Sequence, residues 1–399
     1  MQPDKIVPIE LIDNYFPIID GVVHTVHNYA LEMSKTSDVA VVTPKTKKKN
    51  EDIEIPYKVI YTKRYPIPFP EYSLSAAKLD GKCKAEIKSM NPDIFHTHSP
   101  FWVGGFALSY GKKLGVPVVS TFHSKYYDDV LNITKSKLIA NIVKNYVVNH
   151  YNRADSVWAC SHGTAETLRS YGYKGDIFVM ENGSAMQIPD EKRPALEAAA
   201  RAKFEIPKDK RVILFVGHLI KHKNLPLILD TVRLLCNECD DYRLLIAGTG
   251  YDGEEIKKYA DSLGFSDGTV RFLGRVYEKE LLAGLYLCSD LFFFPSVYDN
   301  APLVVREAAA LSLPSLLTEG SNSAEAVIKD VTGFTAKENA KDMAEEIKRI
   351  FDTPGLLCKV GAEAERRIPK TFEQIVKAVR EKYAEVIEKY RSDKKINTP

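Results

Sequence analysis

The stretch Asp290–Thr318, DLFFFPSVYDNAPLVVREAAALSLPSLLT, decides the fold class. Leu291–Phe294 is a continuous apolar run, the pattern of a strand buried on both faces of a parallel sheet, and Pro295-Ser296 ends it. Leu303, Val304, Ala308 and Leu311 then recur at helical spacing, with Asn300 placed to cap the helix and Pro302 suited to its first turn. A second apolar run follows Leu313-Pro314. Strand, loop, helix and strand form the repeating unit of a doubly wound α/β sheet. Two carboxylates, Asp299 and Glu307, bracket the helix start, where unpaired backbone N–H groups and the positive end of the helix dipole suit a phosphate. A carboxylate beside such a turn engages hydroxyls, as the ribose-binding acid of dinucleotide folds does. The expected ligand therefore carries both phosphates and sugars.

The pattern P-S-x-x-acid-x7-E-A, followed by Leu313-Pro314 and a strand, resembles the paired-acid signature of the retaining, nucleotide-sugar-dependent family 4 glycosyltransferases, whose fold is the two-domain GT-B fold. The resemblance implies that Glu307 holds the ribose and Asp299 the donor sugar. It also implies that backbone N–H groups at the helix start hold the diphosphate; Pro302 has none, which leaves Ala301, Leu303 and Val304. Asp299 stands where the family usually has Glu, and Ala301-Pro302 where Phe-Gly is common.

Upstream, Ile6–Ile12 reads as a first strand leading into a loop with Gly21 and then a helix. The loop Y-F-P-x-x-D-G-V is similar to the first loop of the same enzymes, which implies that Gly21 lies against the donor diphosphate. Two further strands end in histidines, His96 and His98 in HTHS and His123 in TFHS. Polar residues at the carboxyl ends of parallel strands point toward the binding crevice. The T-F-H motif resembles the one whose histidine reaches the donor sugar, so His123 is the expected catalytic side chain, with Lys223 and Asp299. His96 and His98, two positions apart with no acid or cysteine beside them in sequence, make a thin metal site, and no metal or other cofactor is expected.

The second half opens with the strand Arg211–Val216, a glycine and the cluster His218, Lys221, His222 and Lys223, suited to neutralising a diphosphate leaving group. Family members usually carry Gly-Arg and a lysine here; Lys223 matches the lysine, and His218 replaces the arginine. The strand Val270–Gly274 with Arg275 resembles the one whose following backbone holds the nucleotide base.

Within the first half, Asn132–Tyr151 reads as one helix with Ile139, Ile142, Val143 and Tyr146 on one side and Lys135, Lys137 and Lys144 off it. Core packing is the favoured reading of that stripe; a basic, membrane-surface helix is the other. Together with Tyr126-Tyr127-Asp128-Asp129, the segment resembles family members that glycosylate diacylglycerol-type lipids, which places Tyr126 and the three lysines on an acceptor or membrane surface. Ser73–Met90 reads as a helix, and Lys45–Lys49 as a basic loop able to touch anionic headgroups.

The 399 residues suffice for two domains, and a net charge of +2 gives no bulk attraction for nucleic acid. No stretch approaches the ~20 apolar residues of a membrane span, and the opening MQPDKIVPIELID is not a secretory signal. The six cysteines are scattered; Cys236 and Cys239 form a lone C-x-x-C with no second pair, so reduced thiols are expected.

The expected architecture is two doubly wound Rossmann-like α/β domains facing across a cleft, an acceptor domain over 1–184 and a nucleotide-sugar domain over 195–370, with Ser184–Pro194 as linker. A helix over 371–391 crosses back to the first domain, and the tail beyond it is expected to be disordered. The expected function is metal-independent, retaining hexosyl transfer from a nucleotide sugar, UDP-linked by preference, to a sugar or lipid acceptor. The expected location is cytoplasmic, on the inner face of the cell membrane where the acceptor is a lipid. Two other readings remain open at this point, a nucleotide-sugar-binding subunit and an epimerase on a similar frame.

Overall fold

The computed structural model of the protein describes residues 5–18, 20–45, 55–65 and 74–396. Thr46–Lys49 of the basic loop lie outside them. The chain divides into two compact units, Met1–Gly183 with Phe372–Pro399, and Ser184–Thr371. The expected linker lies inside the second unit, where Ser184 N–H donates to Lys370 O at 2.8 Å and Ser184 bridges to Thr371.

In chain order the strands of the first unit are β1 (Pro8–Leu11), β2 (Ala40–Pro44), β3 (Lys58–Thr62), β4 (Arg64–Tyr65), β5 (Leu74–Ser75), β6 (Ile94–Thr97), β7 (Val118–Phe122), β8 (Ser156–Ala159) and β9 (Phe178–Val179). Seven of them form a parallel sheet in the order β3-β2-β1-β6-β7-β8-β9. The apolar runs are strands because both faces are covered: Ile9, Leu11, Val42, Phe95, Phe106 and Val118 share one core, and Phe122, Tyr151, Val157 and Leu168 another. β1 is interior and carries one charged residue, Glu10, in register with His96 of β6.

The final helix, Phe372–Ile396, belongs to this unit and packs on the helix Gly21–Met33. Ile375, Val376, Val379, Tyr383 and Ile387 are buried, and buried Arg380 donates to Met33 O at 2.8 Å and Thr36 Oγ1 at 2.7 Å. The helix runs past Arg391 to Ile396, where a disordered tail was expected.

The second unit holds β10 (Arg211–Val216), β11 (Tyr242–Ala247), β12 (Val270–Gly274), β13 (Leu291–Phe294), β14 (Ser315–Thr318) and β15 (Phe334–Ala336). They form a six-stranded parallel sheet in the order β12-β11-β10-β13-β14-β15. Strands and helices alternate in both units, so each is a Rossmann-like α/β layer structure.

Three local expectations change. The single helix over 132–151 is two, Tyr126–Thr134 and Lys137–Tyr151, because Lys135 turns left-handed at φ 54° and Ser136 caps the second helix. Within 73–90, Leu74–Ser75 pairs antiparallel with Arg64–Tyr65, and the helix starts only at Gly81, where Asp80 accepts from Cys83 N. Asn300 does not cap the next helix; its Oδ1 accepts from Asn322 Nδ2 at 3.0 Å, and the helix Leu303–Ala309 begins after Pro302 with no side-chain cap.

Glycines set the carboxyl-end turns of β10 and β11. Gly248 has φ +145°, and a Cβ there would meet Gly217 O at 1.9 Å; one at Gly250 would meet Leu219 O at 2.3 Å. At these glycines the two turns meet backbone to backbone, and Asp252 Oδ2 joins them again by accepting from Lys221 N at 2.7 Å. Gly248→Ala is expected to cost about 2–3 kcal/mol, read as a fall in Tm of the second unit's unfolding transition, whereas Gly264→Ala, with open space around it, costs only the strain of its own φ.

Candidate functional site

In the second unit, the loop after β13 is tied down by hydroxyls. Ser296 Oγ donates to His222 O at 3.1 Å and accepts from the N–H groups of Tyr298 and Asp299 at 3.3 and 3.4 Å. Ser323 Oγ reaches the carbonyls of Ser296 and Asp299 at 3.0 and 3.2 Å, and His222 stacks on Tyr298 with centroids 4.7 Å apart. The loop after β10 and the loop after β13 are thus one polar assembly. Across it Lys223 Nζ donates to Asp299 Oδ1 at 2.5 Å and lies 5.3 Å from the centre of the Phe294 ring. The other carboxylate oxygen, Asp299 Oδ2, is buried with no hydrogen-bond partner among the described residues. A buried acceptor without a donor is costly, and a ligand hydroxyl would satisfy it.

Leu303 and Val304 open the uncapped helix, just after Ala301. Glu307 lies in the same helix, and Tyr286 OH donates to its Oε2 at 3.0 Å. Desolvation by burial raises the Glu307 carboxyl above its ordinary range. His218 and Arg275 are exposed, each just beyond a strand end, and the Arg275 guanidinium lies 4.9 Å from the Tyr277 ring centre.

In the first unit, Gly21 opens the helix Gly21–Met33, and Asp20 caps it, accepting from Val22 N and Val23 N at 2.9 and 2.8 Å. Nothing lies within 4 Å of where a Gly21 Cβ would sit, so the protein's own packing does not require glycine there. His123 follows β7, and its Nε2 is 3.0 Å from His98 Nδ1. His98 Nε2 is 2.8 Å from Glu10 Oε2, and Tyr383 OH donates to Glu10 Oε1 at 2.9 Å. His96 completes the cluster, with Nδ1 2.6 Å from Tyr383 OH and Nε2 2.6 Å from Thr121 Oγ1. Glu10, His96 and His98 thereby gather the donor types of a metal site within 4.8 Å, with Glu10 as the acid that adjacency in sequence did not offer. Each of the four ring nitrogens of His96 and His98 already has a hydrogen-bond partner, and the cluster is a closed polar network.

The helix Lys137–Tyr151 overturns the core-packing reading of its stripe. Leu138 is 72% exposed and Ile142 60%, with Ile139 and Tyr146 also exposed, while Ala140, Val147, His150 and Tyr151 face the core. Ile133, at the end of the preceding helix, is 83% exposed. Lys135 and Lys137 are exposed nearby, and Lys144 lies over the Tyr127 ring at 5.9 Å. Tyr126 packs against Phe101 and Phe122 at centroid distances of 5.2 and 5.6 Å.

Sequence reasoning did not find Ser323, Tyr286, Glu10 or Tyr383. Ser323 and Tyr286 carry no local motif. Glu10 had a signal, a lone acid inside an apolar strand, and Tyr383 sat unremarked in an apolar helical stripe.

Residues 197–367 match the family described as Glycosyl transferases group 1, and residues 19–184 the one described as Glycosyltransferase Family 4. The alpha-monoglucosyldiacylglycerol synthase of Streptococcus pneumoniae is 26% identical over 309 residues, which span 76% of this chain and 68% of that protein. Its namesake from Acholeplasma laidlawii is 25% identical over 404 residues, 96% and 97% of the two chains. The crystal structure of Anabaena HepE in complex with UDP and glucose superposes with a TM-score of 0.73 at 16% identity, covering 94% of this chain and 99% of that one.

Burial lowers His98 and His150 to about 3 and His27 to about 4, so each contributes stability present above pH 6.5 and lost as pH falls. Burial raises Glu10 to about 8, so the native state holds a proton that the unfolded chain releases near 4.5, and stability falls as pH climbs from there to 8. The five lowered histidines, His96 and His123 among them, outweigh the raised acids Glu10, Asp13 and Asp129 below 6.5, and Glu10 is the largest effect toward 8. Tm of the first unit is expected to rise from pH 5 to 6.5 and decline toward 8. Trp102 and Trp158, the two tryptophans, both lie in that unit, so tryptophan fluorescence reads it directly; a Tm still rising between pH 7 and 8 would contradict the assignment.

Proposed function

Because this chain belongs to the family 4 glycosyltransferases and has their GT-B fold, we propose that it moves a hexose from a UDP-sugar to a diacylglycerol-type membrane lipid, with retention at the anomeric carbon and no metal ion. The observation that carries the lipid acceptor is the exposed row Leu138, Ile139, Ile142 and Tyr146 with lysines beside it. An apolar face of this kind, with basic side chains whose stems can lie along the interface, suits a bilayer surface bearing anionic lipids. No helix among the described residues is long and apolar enough to cross a membrane. The protein acts from the surface, on the inner face of the cell membrane. The names of the two synthases agree with that acceptor, and UDP and glucose in the HepE structure agree with the donor.

Donor chemistry falls to the second unit. Glu307, held by Tyr286, binds the ribose, and the N–H groups of Ala301, Leu303 and Val304 meet the diphosphate. Lys223 exchanges its bond with Asp299 for the phosphates and stabilises the charge that develops on the leaving nucleoside diphosphate, with His218 and Arg275 as further donor contacts. Asp299 is then released to take a sugar hydroxyl on Oδ2, the oxygen with no partner among the described residues. Gly21 and His123 keep the roles that the family resemblance implies, contacts to the diphosphate and the sugar.

The test is release of UDP from UDP-glucose with diacylglycerol vesicles in EDTA. Release is expected to require the vesicles and to fall at least 100-fold in Glu307→Ala, with Asp299→Asn losing about 10- to 100-fold. Release only after a divalent ion is added would defeat the metal-free reading, and tight donor binding without release would point to a binding subunit. Replacing both Ile139 and Ile142 by Glu is expected to abolish sedimentation with anionic vesicles while leaving UDP-glucose affinity unchanged. Unaltered sedimentation would remove this helix from the membrane surface.

A further inference from the structure

We propose that Glu10 is a positioning residue that sets, through His98, which ring nitrogen of His123 carries the hydrogen, and so whether Nδ1 of His123 gives or accepts a hydrogen bond. The consequence for turnover rests on the reading of His123 as a donor-sugar contact; the tautomer itself does not.

The hydrogens along one fixed chain of contacts decide the tautomer. Tyr383 OH spends its hydrogen on Glu10 Oε1, at 2.9 Å. The hydrogen between Tyr383 and His96 must then sit on His96 Nδ1, and Thr121 donates to His96 Nε2, at 2.6 Å in each case. His96 Nδ1 also lies 3.4 Å from Glu10 Oε2, so its hydrogen faces an acceptor oxygen in either state of the carboxyl and this end of the network does not change. The other end does. With Glu10 protonated, Oε2–H donates to His98 Nε2, His98 Nδ1–H donates to His123 Nε2, and His123 keeps its hydrogen on Nδ1. With Glu10 ionised, His98 Nε2–H donates to Oε2, His98 Nδ1 becomes an acceptor, and His123 must place its hydrogen on Nε2. One proton leaves, and the two contacts from Glu10 to His98 and from His98 to His123 reverse direction.

The surroundings make this a two-state device. Glu10, His96 and His98 are buried on or beside interior strands, out of reach of solvent. The other titratable groups facing Glu10 are Tyr15 from the loop after β1, Tyr29 from the helix Gly21–Met33 and Tyr383 from the final helix, all with hydroxyls pushed up by burial and therefore neutral. Arg380, which acts on Tyr383, is held by Met33 O and Thr36. Burial keeps His96, His98 and His123 uncharged, and the Glu10 carboxyl, pushed up to about 8, is the group that titrates.

The experiment is histidine 15N NMR of the full-length protein at pH 7 and pH 9.5, with His123 assigned by loss of its signals in His123→Gln. Wild type is expected to show His123 as the Nδ1–H tautomer at pH 7 and as Nε2–H at 9.5, with a midpoint near 8. In Glu10→Gln the amide accepts from Tyr383 and donates to His98, so the Nδ1–H form should persist at both values. Tyr383→Phe removes the hydrogen bond that favours the ionised carboxylate, and the midpoint should move up by about one pH unit. The same tautomer at both pH values in wild type, or an unshifted transition in Glu10→Gln, would overturn the proposal. So would stoichiometric zinc in protein purified without chelator, since the imidazoles would then be ligands. In turnover, kcat/KM for UDP release from UDP-glucose should fall across the same midpoint in wild type and stay level in Glu10→Gln. Absence of turnover in both proteins would count against the donor reading and leave the NMR result to decide the tautomer.

Discussion

A carboxyl group on an interior strand of a parallel sheet meets no water, so each of its oxygens needs a partner inside the protein. Glu10 imposes that requirement on the first unit. One oxygen takes a hydrogen bond from Tyr383, more than 370 residues away in sequence, and the other is shared with His98. The histidines that end β6 are therefore accounted for from below, and the final helix is fixed to this unit by a buried polar bond in addition to its apolar stripe. His123, which follows β7, is the last member of that chain of contacts.

The second unit solves a related problem differently. Its loops are held by hydroxyl-to-carbonyl bonds from Ser296 and Ser323, which fix the backbone without using the charged side chains. Lys223 and Asp299 are left to pair with one another, and one oxygen of Asp299 is left with no partner among the described residues. A closed network stands in one unit, and an unfinished one in the other. The first suits a group that must keep its orientation, and the second suits groups that must change partners when a ligand arrives.

Much of the fold was legible because parallel strands buried on both faces leave continuous apolar runs, and β1, β10, β11 and β13 sit where those runs sit. Asp299 and Glu307 were singled out by a pattern that resembles a family signature, one in the loop after β13 and the other in the helix that follows. What could not be read was pairing between distant segments. Glu10 with Tyr383, Ser323 with the Asp299 loop, and Tyr286 with Glu307 come together only through topology. The helix over 132–151 failed for another reason. An apolar stripe at helical spacing looks the same whether it faces a core or a bilayer, and the left-handed Lys135 has no glycine to announce it. Asn300 shows the limit of capping rules, since its side chain is claimed by Asn322.

The unit that comes first in the sequence is also the one that ends it. During synthesis the segment up to Gly183 emerges with Glu10 already on its strand but with Tyr383 still untranslated. Ser184–Thr371 is continuous and holds all of its own sheet, so the ribosome delivers it whole while its predecessor still waits for a partner. The order of completion along this chain is thus the reverse of the order of appearance.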